Sequence, residues 1–204
     1  MAQQRKKIPK GARKKFFEVP VALTSTKVQL YTYAPNLLDG KVIKLDLTKN
    51  LRGKNLELKA KIKEKNGELT SDLMSLELNR QYIIKSMRKG ADYVEDSFKA
   101  PSKDFNLQIK FLLLTRKRVS RSIRNLLREQ AKKLLLAKIK TRFAEDIFTE
   151  TMTGKIQKEL SQKLKKIYPL GFCEIKFLKV ISPLKKENKT KETSLKSSEE
   201  LEKQ

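Results

Sequence analysis

Several short segments between residues 16 and 115 alternate hydrophobic and polar positions. In the segment 56–63, for example, every second residue is apolar and the residues between them are Glu or Lys. A period of two places the apolar side chains on one face of a β-strand. The segments with this pattern or with short apolar runs are 16–19, 28–33, 42–47, 56–62, 69–76, 93–98 and 107–113. Asn66-Gly67 is a typical two-residue hairpin turn, so we predict a mainly antiparallel sheet.

Helical spacing appears once inside this region and again after residue 119. The segment 78–87 changes period and predicts a short helix that ends near Gly90. Ser120 or Ser122 can cap a long helix. Apolar residues at spacings of three and four continue to residue 167; Gly154 interrupts this pattern and Pro169 ends it. Apolar positions in 171–180 predict a final strand. The fold class is therefore α+β: a mainly antiparallel sheet with one short inserted helix, then two or three C-terminal helices and a last strand. Whether the sheet closes like a barrel stays open.

Both ends of the chain lack the apolar residues that a folded core requires. Beyond Met1, residues 1–15 contain one large apolar side chain, Ile8, and residues 183–204 are rich in Lys, Glu, Ser and Thr. Such segments cannot offset their ordering entropy by burial. We therefore expect a disordered basic arm at 1–15, a single α+β domain at 16–182 and a disordered charged tail at 183–204. The first residues also lack the apolar stretch of a signal peptide, and we expect a cytoplasmic protein.

Composition excludes several kinds of chemistry. The 204 residues include no His and one Cys, Cys173. A structural zinc site needs four Cys or His ligands, and a Ser-His-Asp triad or a Cys-His pair needs an imidazole base. The carboxylate pairs Glu95-Asp96 and Glu145-Asp146 are interpreted as solvated charges. We therefore expect no catalytic residue, no metal, no cofactor and no small-molecule substrate.

Positive charge is large and unevenly distributed. The chain has 48 Lys and Arg against 23 Asp and Glu, a net charge of +25. Residues 1–20 carry seven cations and one anion, and residues 116–142 carry 11 cations and one anion. Concentrated positive charge is relieved by a polyanion, which suggests nucleic acid as the partner. The alternative is that the second block is only a solvated helix face.

Twelve cations in these two blocks are the candidate RNA-binding residues. The arm contributes Lys6, Lys7, Lys10, Arg13, Lys14 and Lys15. The second block contributes Arg116, Lys117, Arg118, Arg121, Arg124 and Arg128. The last three fall at i, i+3 and i+7, so they form one helical stripe that can face away from the core. The planar guanidinium group suits phosphate oxygens and also stacks on bases.

Aromatic residues are a second class of candidate contacts. They could stack on bases or fill the core, and they are Phe16, Phe17, Tyr31, Tyr33, Phe111, Phe172 and Phe177. Their positions in alternating strands favour the core. Tyr31 and Tyr33, near a strand end, are the best candidates for exposure.

Several motifs resemble one protein family. They are Gly154-Lys155-Ile156, Glu159-Leu160, Lys165 to Leu170, Glu174-Ile175 and Lys179-Val180, preceded by Phe16-Phe17, Ala34-Pro35, Lys41-Val42, Leu47-Thr48 and Leu78-x-Arg80-x-Tyr82-Ile83. Together they are similar to the small-subunit ribosomal protein S three-Ae family, e-S one in newer nomenclature, over about residues 14–182. The resemblance implies a non-catalytic protein on the platform of the small ribosomal subunit, near the messenger-RNA exit, bound to small-subunit rRNA and neighbouring platform proteins.

Three functional hypotheses follow. The first is a structural rRNA-binding protein whose arm and arginine stripe neutralise phosphates. The second is a free-standing RNA-binding, processing or assembly factor that cycles on and off RNA. A third, a peripheral membrane protein, is disfavoured because the arm has no apolar face to insert, and no apolar run reaches the roughly 20 residues of a membrane helix.

Overall fold

The computed structural model describes residues 13–51, 54–65 and 67–183. Within them the chain forms eight strands and four α-helices. In chain order these are β1 Lys15–Pro20, β2 Lys27–Thr32, β3 Val42–Asp46, β4 Leu56–Lys65, β5 Glu68–Leu78, α1 Arg80–Ser86, β6 Tyr93–Pro101, β7 Phe105–Thr115, α2 Arg121–Lys140, α3 Ala144–Thr153, α4 Lys155–Leu164 and β8 Leu170–Pro183. This confirms the predicted α+β class, including the inserted helix α1 and the three helices before the last strand.

The main sheet has six antiparallel strands in the order β3-β4-β5-β8-β7-β6, and β1 and β2 form a separate two-stranded ribbon. Strand β8 pairs along the whole of β7, from Phe105 opposite Pro183 to Thr115 opposite Leu170, and it pairs briefly with β5. The C-terminal strand is therefore central in the sheet. Strands β3 and β6 remain the two edges within the described residues, so the sheet is open and does not close into a barrel.

One face of the sheet carries the core. Leu178 of β8 and Ile109 of β7 lie opposite each other and contact Leu135 and Ile139 of α2. All four side chains are almost completely buried. The ribbon of β1 and β2 covers the far end of β3, β4 and β5 with a smaller apolar cluster that is centred on Val19, Leu38, Ile43, Ile62 and Leu69. The opposite face is polar in β3 and β4, where it carries Lys44, Glu57 and Lys59, but it is covered near the end of β7, where Leu112 and Leu114 are buried as well.

Local signals in the sequence explain the turns. Lys65 pairs with Glu68, so the β4–β5 turn has two residues. Gly67 in this turn has φ +85°, a left-handed conformation that favours glycine. Asn66 lies outside the described residues. Ser120 caps α2, as its hydroxyl accepts a hydrogen bond from the Ile123 amide at 3.5 Å. Gly154, with φ +78°, ends α3 and starts α4.

The structure corrects several details of the sequence reading. Phe111 is buried as predicted, but Phe16 was expected in the core and is 69% exposed, because it lies on the outer side of the ribbon. Glu95 is half-buried and ion-paired to Lys176 at 2.8 Å, so it is not simply a solvated charge. Strand β1 begins at Lys15, the last residue of the predicted arm, and β8 extends to Pro183, the first residue of the predicted tail.

Candidate RNA-binding surface

Three connections meet at one end of the main sheet. The α1–β6 loop leads into Tyr93, which pairs with Leu114 near the end of β7. The β7–α2 loop follows Thr115, and the α4–β8 loop leads into Leu170, which pairs with Thr115. Residues that are distant in sequence are therefore neighbours at this end.

Buried polar groups hold two of these loops together. The Thr115 hydroxyl accepts a hydrogen bond from the Asp92 amide at 2.8 Å and donates one to the Lys117 carbonyl at 2.7 Å. The carboxylate of Asp92 accepts a hydrogen bond from the Val119 amide at 2.8 Å. These contacts fix the backbone that carries the cations between β7 and α2, so their positions are built into the fold.

We call the cations of two segments at this end, 85–89 and 116–121, the basic edge. They are Lys85, Arg88, Lys89, Arg116, Lys117, Arg118 and Arg121, and all are exposed. Within the described chain, no carboxylate lies at ion-pair distance from any of them. The acidic residue closest in sequence, Asp92, is already committed to the Val119 amide. The basic edge is therefore a site of unbalanced positive charge.

Several cations elsewhere in the fold are paired with carboxylates. On the polar face of the sheet, Lys44 pairs with Glu57 at 2.8 Å and Lys59 with Glu77 at 3.3 Å. The hydrogen bond to Glu57 raises the pKa of Lys44. In the second half of α2, Lys138 lies 2.7 Å from Glu159 of α4. These charges are locally neutralised, whereas those of the basic edge have no such partner among the described residues.

A cleft of about 590 Å³ runs between α1 and the ends of β7 and β8. Lys85, Arg88 and Arg116 line it, together with the rings of Tyr82 and Phe172, whose centroids are 5.9 Å apart. Burial raises the pKa of Tyr82, and the nearby charge of Glu174 adds to this, so the phenol remains a hydrogen-bond donor. Cations beside aromatic rings in a groove suit a phosphate–sugar backbone.

The arginine stripe predicted on α2 is divided by burial. Arg121 is exposed, but Arg124 and Arg128 are half-buried because they flank Leu127 and Ala131, which face the core. The Arg128 guanidinium donates to the side-chain oxygen of Asn125 at 3.3 Å. The Nε atom of Arg124 is buried and has no hydrogen-bond partner among the described residues. Arg121 therefore joins the basic edge, and the other two lie beside it.

The arm residues are only partly described. Arg13, Lys14 and Lys15 are exposed on the approach to β1 and at its start. Lys6, Lys7 and Lys10 lie outside the described residues. Within the described residues, the arm cations and the cations of residues 116–128 are not in contact. The arm leads into the ribbon, and the ribbon packs on β3, β4 and β5.

Sequence reasoning missed Lys85, Arg88 and Lys89. They lie in a segment, 61–115, whose cations and anions almost cancel, so no local charge run identifies them. The available signal was the pattern Lys85-x-x-Arg88-Lys89-Gly90 directly after a short helix, which is a common solvated helix end. Only the pairing of β6, β7 and β8 places these cations beside Arg116.

A second cleft, between the α3–α4 junction and β8, contains Cys173. Burial raises the pKa of its thiol to about 12, and Glu174 contributes in the same direction. Thiol reactivity requires the thiolate, so Cys173 is not a nucleophile near neutral pH.

Iodoacetamide at pH 8 is therefore expected to leave Cys173 of the folded protein largely unmodified. A pKa of about 12 in place of 9.0 reduces the thiolate population at that pH by about 1000-fold, and the population recovers as the pH rises towards 12. Mass spectrometry after timed alkylation measures this, with guanidinium-unfolded protein as the control. Rapid stoichiometric alkylation of the folded protein would contradict the assignment.

Within the described ranges, no group of three or more His, Cys, Asp or Glu residues is arranged to hold a metal ion. None of the helices there has the length and apolar character needed to cross a membrane.

Comparison with known proteins identifies the family. The sequence pattern of the ribosomal S3Ae family matches residues 2–183. Small ribosomal subunit protein eS1 from two strains of Saccharolobus islandicus, L.S.2.15 and M.14.25, is 28% identical over 138 residues. The same protein from Saccharolobus solfataricus is 27% identical over 138 residues. In each case the match covers 67% of this chain and 66% of the relative, just under two thirds of its length.

The chain is an open antiparallel sheet backed by three helices, with exposed cations gathered at one end. Since the family pattern covers nearly all of the described chain, the protein belongs to the ribosomal S3Ae family.

Proposed function

We propose that this protein is an rRNA-binding constituent of the small ribosomal subunit and that the basic edge is its principal contact with RNA phosphates. The observation that carries the proposal is the convergence of seven exposed cations from two separate segments, 85–89 and 116–121, on one end of the sheet, with no carboxylate of the described residues paired to them. The similarity to proteins named small ribosomal subunit protein eS1 supports the small ribosomal subunit as the particle to which this protein belongs.

The start of α2 strengthens the attraction for phosphate. A helix N-terminus carries a partial positive charge, and acidic residues in its first turn normally stabilise it. The first turn of α2 has no acidic residue and begins with Arg121. Positive side chains here cost folding free energy, about 0.3–1 kcal/mol each at an exposed site. An anionic ligand removes that cost, so this arrangement favours the RNA-bound state.

Binding of this kind reads shape and charge. Arginine forks contact phosphate oxygens bidentately, and such contacts position a protein on RNA without reading its sequence. The loops that carry the cations are held by Thr115 and Asp92, so the spacing between Arg116 and Arg88 is preorganised. Folded RNA with a matching phosphate spacing is the expected ligand.

The resemblance noted in the sequence also implies a location. We place the protein on the platform of the small subunit near the messenger-RNA exit, beside neighbouring platform proteins, within the cytoplasmic ribosome. Messenger RNA passes close to such a position. The role is structural support of translation, with no catalytic step and no membrane partner.

Sedimentation tests the proposal. A tagged form of the full chain is run from a native lysate on a sucrose gradient in roughly half-molar salt, which screens exposed charge contacts strongly, with and without RNase. Stoichiometric co-migration with the small subunit that survives the salt and is lost on RNase treatment is the expected result. Release to the top of the gradient by salt alone would overturn it and favour the free-standing RNA-binding factor.

A further inference from the structure

The outer side of the β1–β2 ribbon exposes a pair of aromatic rings. Phe16 and Tyr31 are directly opposite each other in the two strands, and their ring centroids are 4.8 Å apart. Phe16 is 69% exposed and Tyr31 is 58% exposed. The inner side of the same strands, represented by Val19, is buried against the smaller apolar cluster. The inner side of the ribbon therefore packs against the fold, whereas the rings of Phe16 and Tyr31 on the outer side are largely exposed to solvent.

A cation lies beside Tyr31 of this pair. The ammonium group of Lys14 lies 5.6 Å from the centre of the Tyr31 ring and 5.3 Å from that of Tyr33. Arg13 and Lys15 are exposed on either side of it in the chain. The acidic residue of this ribbon, Glu18, lies 3.4 Å from the ammonium group of Lys27, so it does not offset the charge near the rings.

Exposed aromatic rings next to unbalanced cations match one ligand chemistry closely. Every base has a π-face that stacks on an aromatic ring, and the flanking phosphates are attracted by the adjacent ammonium and guanidinium groups. A duplex hides its base faces, so the ligand must be unpaired. Lys14 and Arg13 attract a negatively charged ligand, which disfavours a basic or neutral protein surface as the partner.

We propose that Phe16 and Tyr31 form a stacking platform for an unpaired RNA base, with Lys14 and Arg13 contacting the phosphates beside it. This deepens the proposed function and rests on it. The platform is separate from the basic edge: Ser71, near the β4–β5 hairpin, anchors the ribbon by donating to the Pro20 carbonyl at 2.8 Å, and that hairpin is at the opposite end of the sheet. One protein thus holds folded RNA through one surface and a single-stranded segment through another.

The test replaces both rings by a residue that suits an exposed strand, Phe16→Thr with Tyr31→Thr, in the full chain. Affinity is measured by fluorescence anisotropy for two probes, a labelled 12-nucleotide oligouridine and a fully paired 12-base-pair RNA duplex. Loss of stacking is expected to weaken oligouridine binding roughly 5- to 100-fold. Duplex affinity should change by less than about twofold, and the salt dependence should persist because no charge is removed.

Two matched controls isolate the rings. The exchange Phe16→Tyr with Tyr31→Phe preserves both rings and should preserve oligouridine affinity. Phe143→Thr removes another exposed aromatic, 48% exposed with the Lys103 ammonium 4.7 Å from its ring centre, and should have no effect. Thermal unfolding by circular dichroism confirms that each variant folds.

The outcomes separate the platform from the proposed function. Unchanged oligouridine affinity in a folded Thr-Thr variant that still binds duplex overturns the platform alone. Absence of binding to either RNA by the wild-type protein overturns both. If poly-glutamate competes with oligouridine for the wild-type protein, and the Thr-Thr variant loses affinity for both equally, the platform is a site for acidic peptide and the base-stacking assignment is wrong.

Discussion

Replacement of Arg116, Lys117 and Arg118 by glutamine is expected to reduce affinity for small-subunit rRNA by about 100-fold at physiological salt. These three exposed cations lie in the loop that Thr115 and Asp92 hold in place. Each phosphate contact that releases counterions contributes about 1 kcal/mol at this ionic strength, so three lost contacts correspond to roughly two orders of magnitude. Glutamine is shorter than lysine or arginine but remains polar and can still form hydrogen bonds, so the main change is the loss of charge.

The salt dependence of binding gives the sharper measurement. If all three cations contact phosphates, the slope of log K against log salt should decrease by about 2 to 3. A matched variant, with Lys41, Lys65 and Lys99 changed to glutamine, removes the same charge from exposed positions at the opposite end of the sheet. Its affinity should fall far less. Equal losses in the two variants would show that only net charge matters and that the basic edge is not a specific surface.

The choice of these residues follows from the burial seen on α2. Charge reversal of Arg121, Arg124 and Arg128 together is the obvious test of the sequence pattern. Arg124 and Arg128 are half-buried, however, and a carboxylate at either position would be placed beside Leu127 and Ala131. Such a variant would lose stability as well as RNA contacts. Residues 116–118 avoid this ambiguity because they are exposed and lie outside the helix.

Truncation after Pro169 is expected to abolish cooperative folding altogether. It removes β8, which lies between β5 and β7, and with it the buried side chains of Ile175 and Leu178. Two interior strands would then present unpaired backbone to solvent, and the helices would lose part of the surface on which they pack. Domain stability is only about 5–15 kcal/mol, so a loss of this size exceeds it.

Circular dichroism and limited proteolysis compare that truncation with a second one after Pro183. The longer fragment retains β8 complete and removes only the residues whose composition predicts a disordered tail. It should unfold cooperatively at nearly the same temperature as the full chain. Cooperative unfolding of the shorter fragment would mean that β8 is peripheral and that the six-stranded order is wrong.

Signals between neighbouring residues were sufficient to predict most of the local structure of this protein. Strict alternation in 56–63 was sufficient to predict β4, Asn66-Gly67 to predict the hairpin and Gly154 to predict a helix boundary, because each signal acts between residues close in the chain. Ser120 and Ser122 remained alternative caps for α2, and the structure selects Ser120. The excess of Lys and Arg and the absence of His were equally visible. They favour a polyanion as the partner and exclude imidazole-dependent chemistry.

Tertiary structure alone decided which charges act together. The insertion of β8 between β5 and β7 brings the α1–β6 and β7–α2 loops to one end of the sheet, and it places Lys85 and Arg88 beside Arg116. It also decided that Arg124 is half-buried and that Phe16 is exposed. These outcomes depend on contacts between residues distant in sequence, where a strand's position in the sheet and a helix's rotation are set by the packing of the whole core. No local periodicity carries that information.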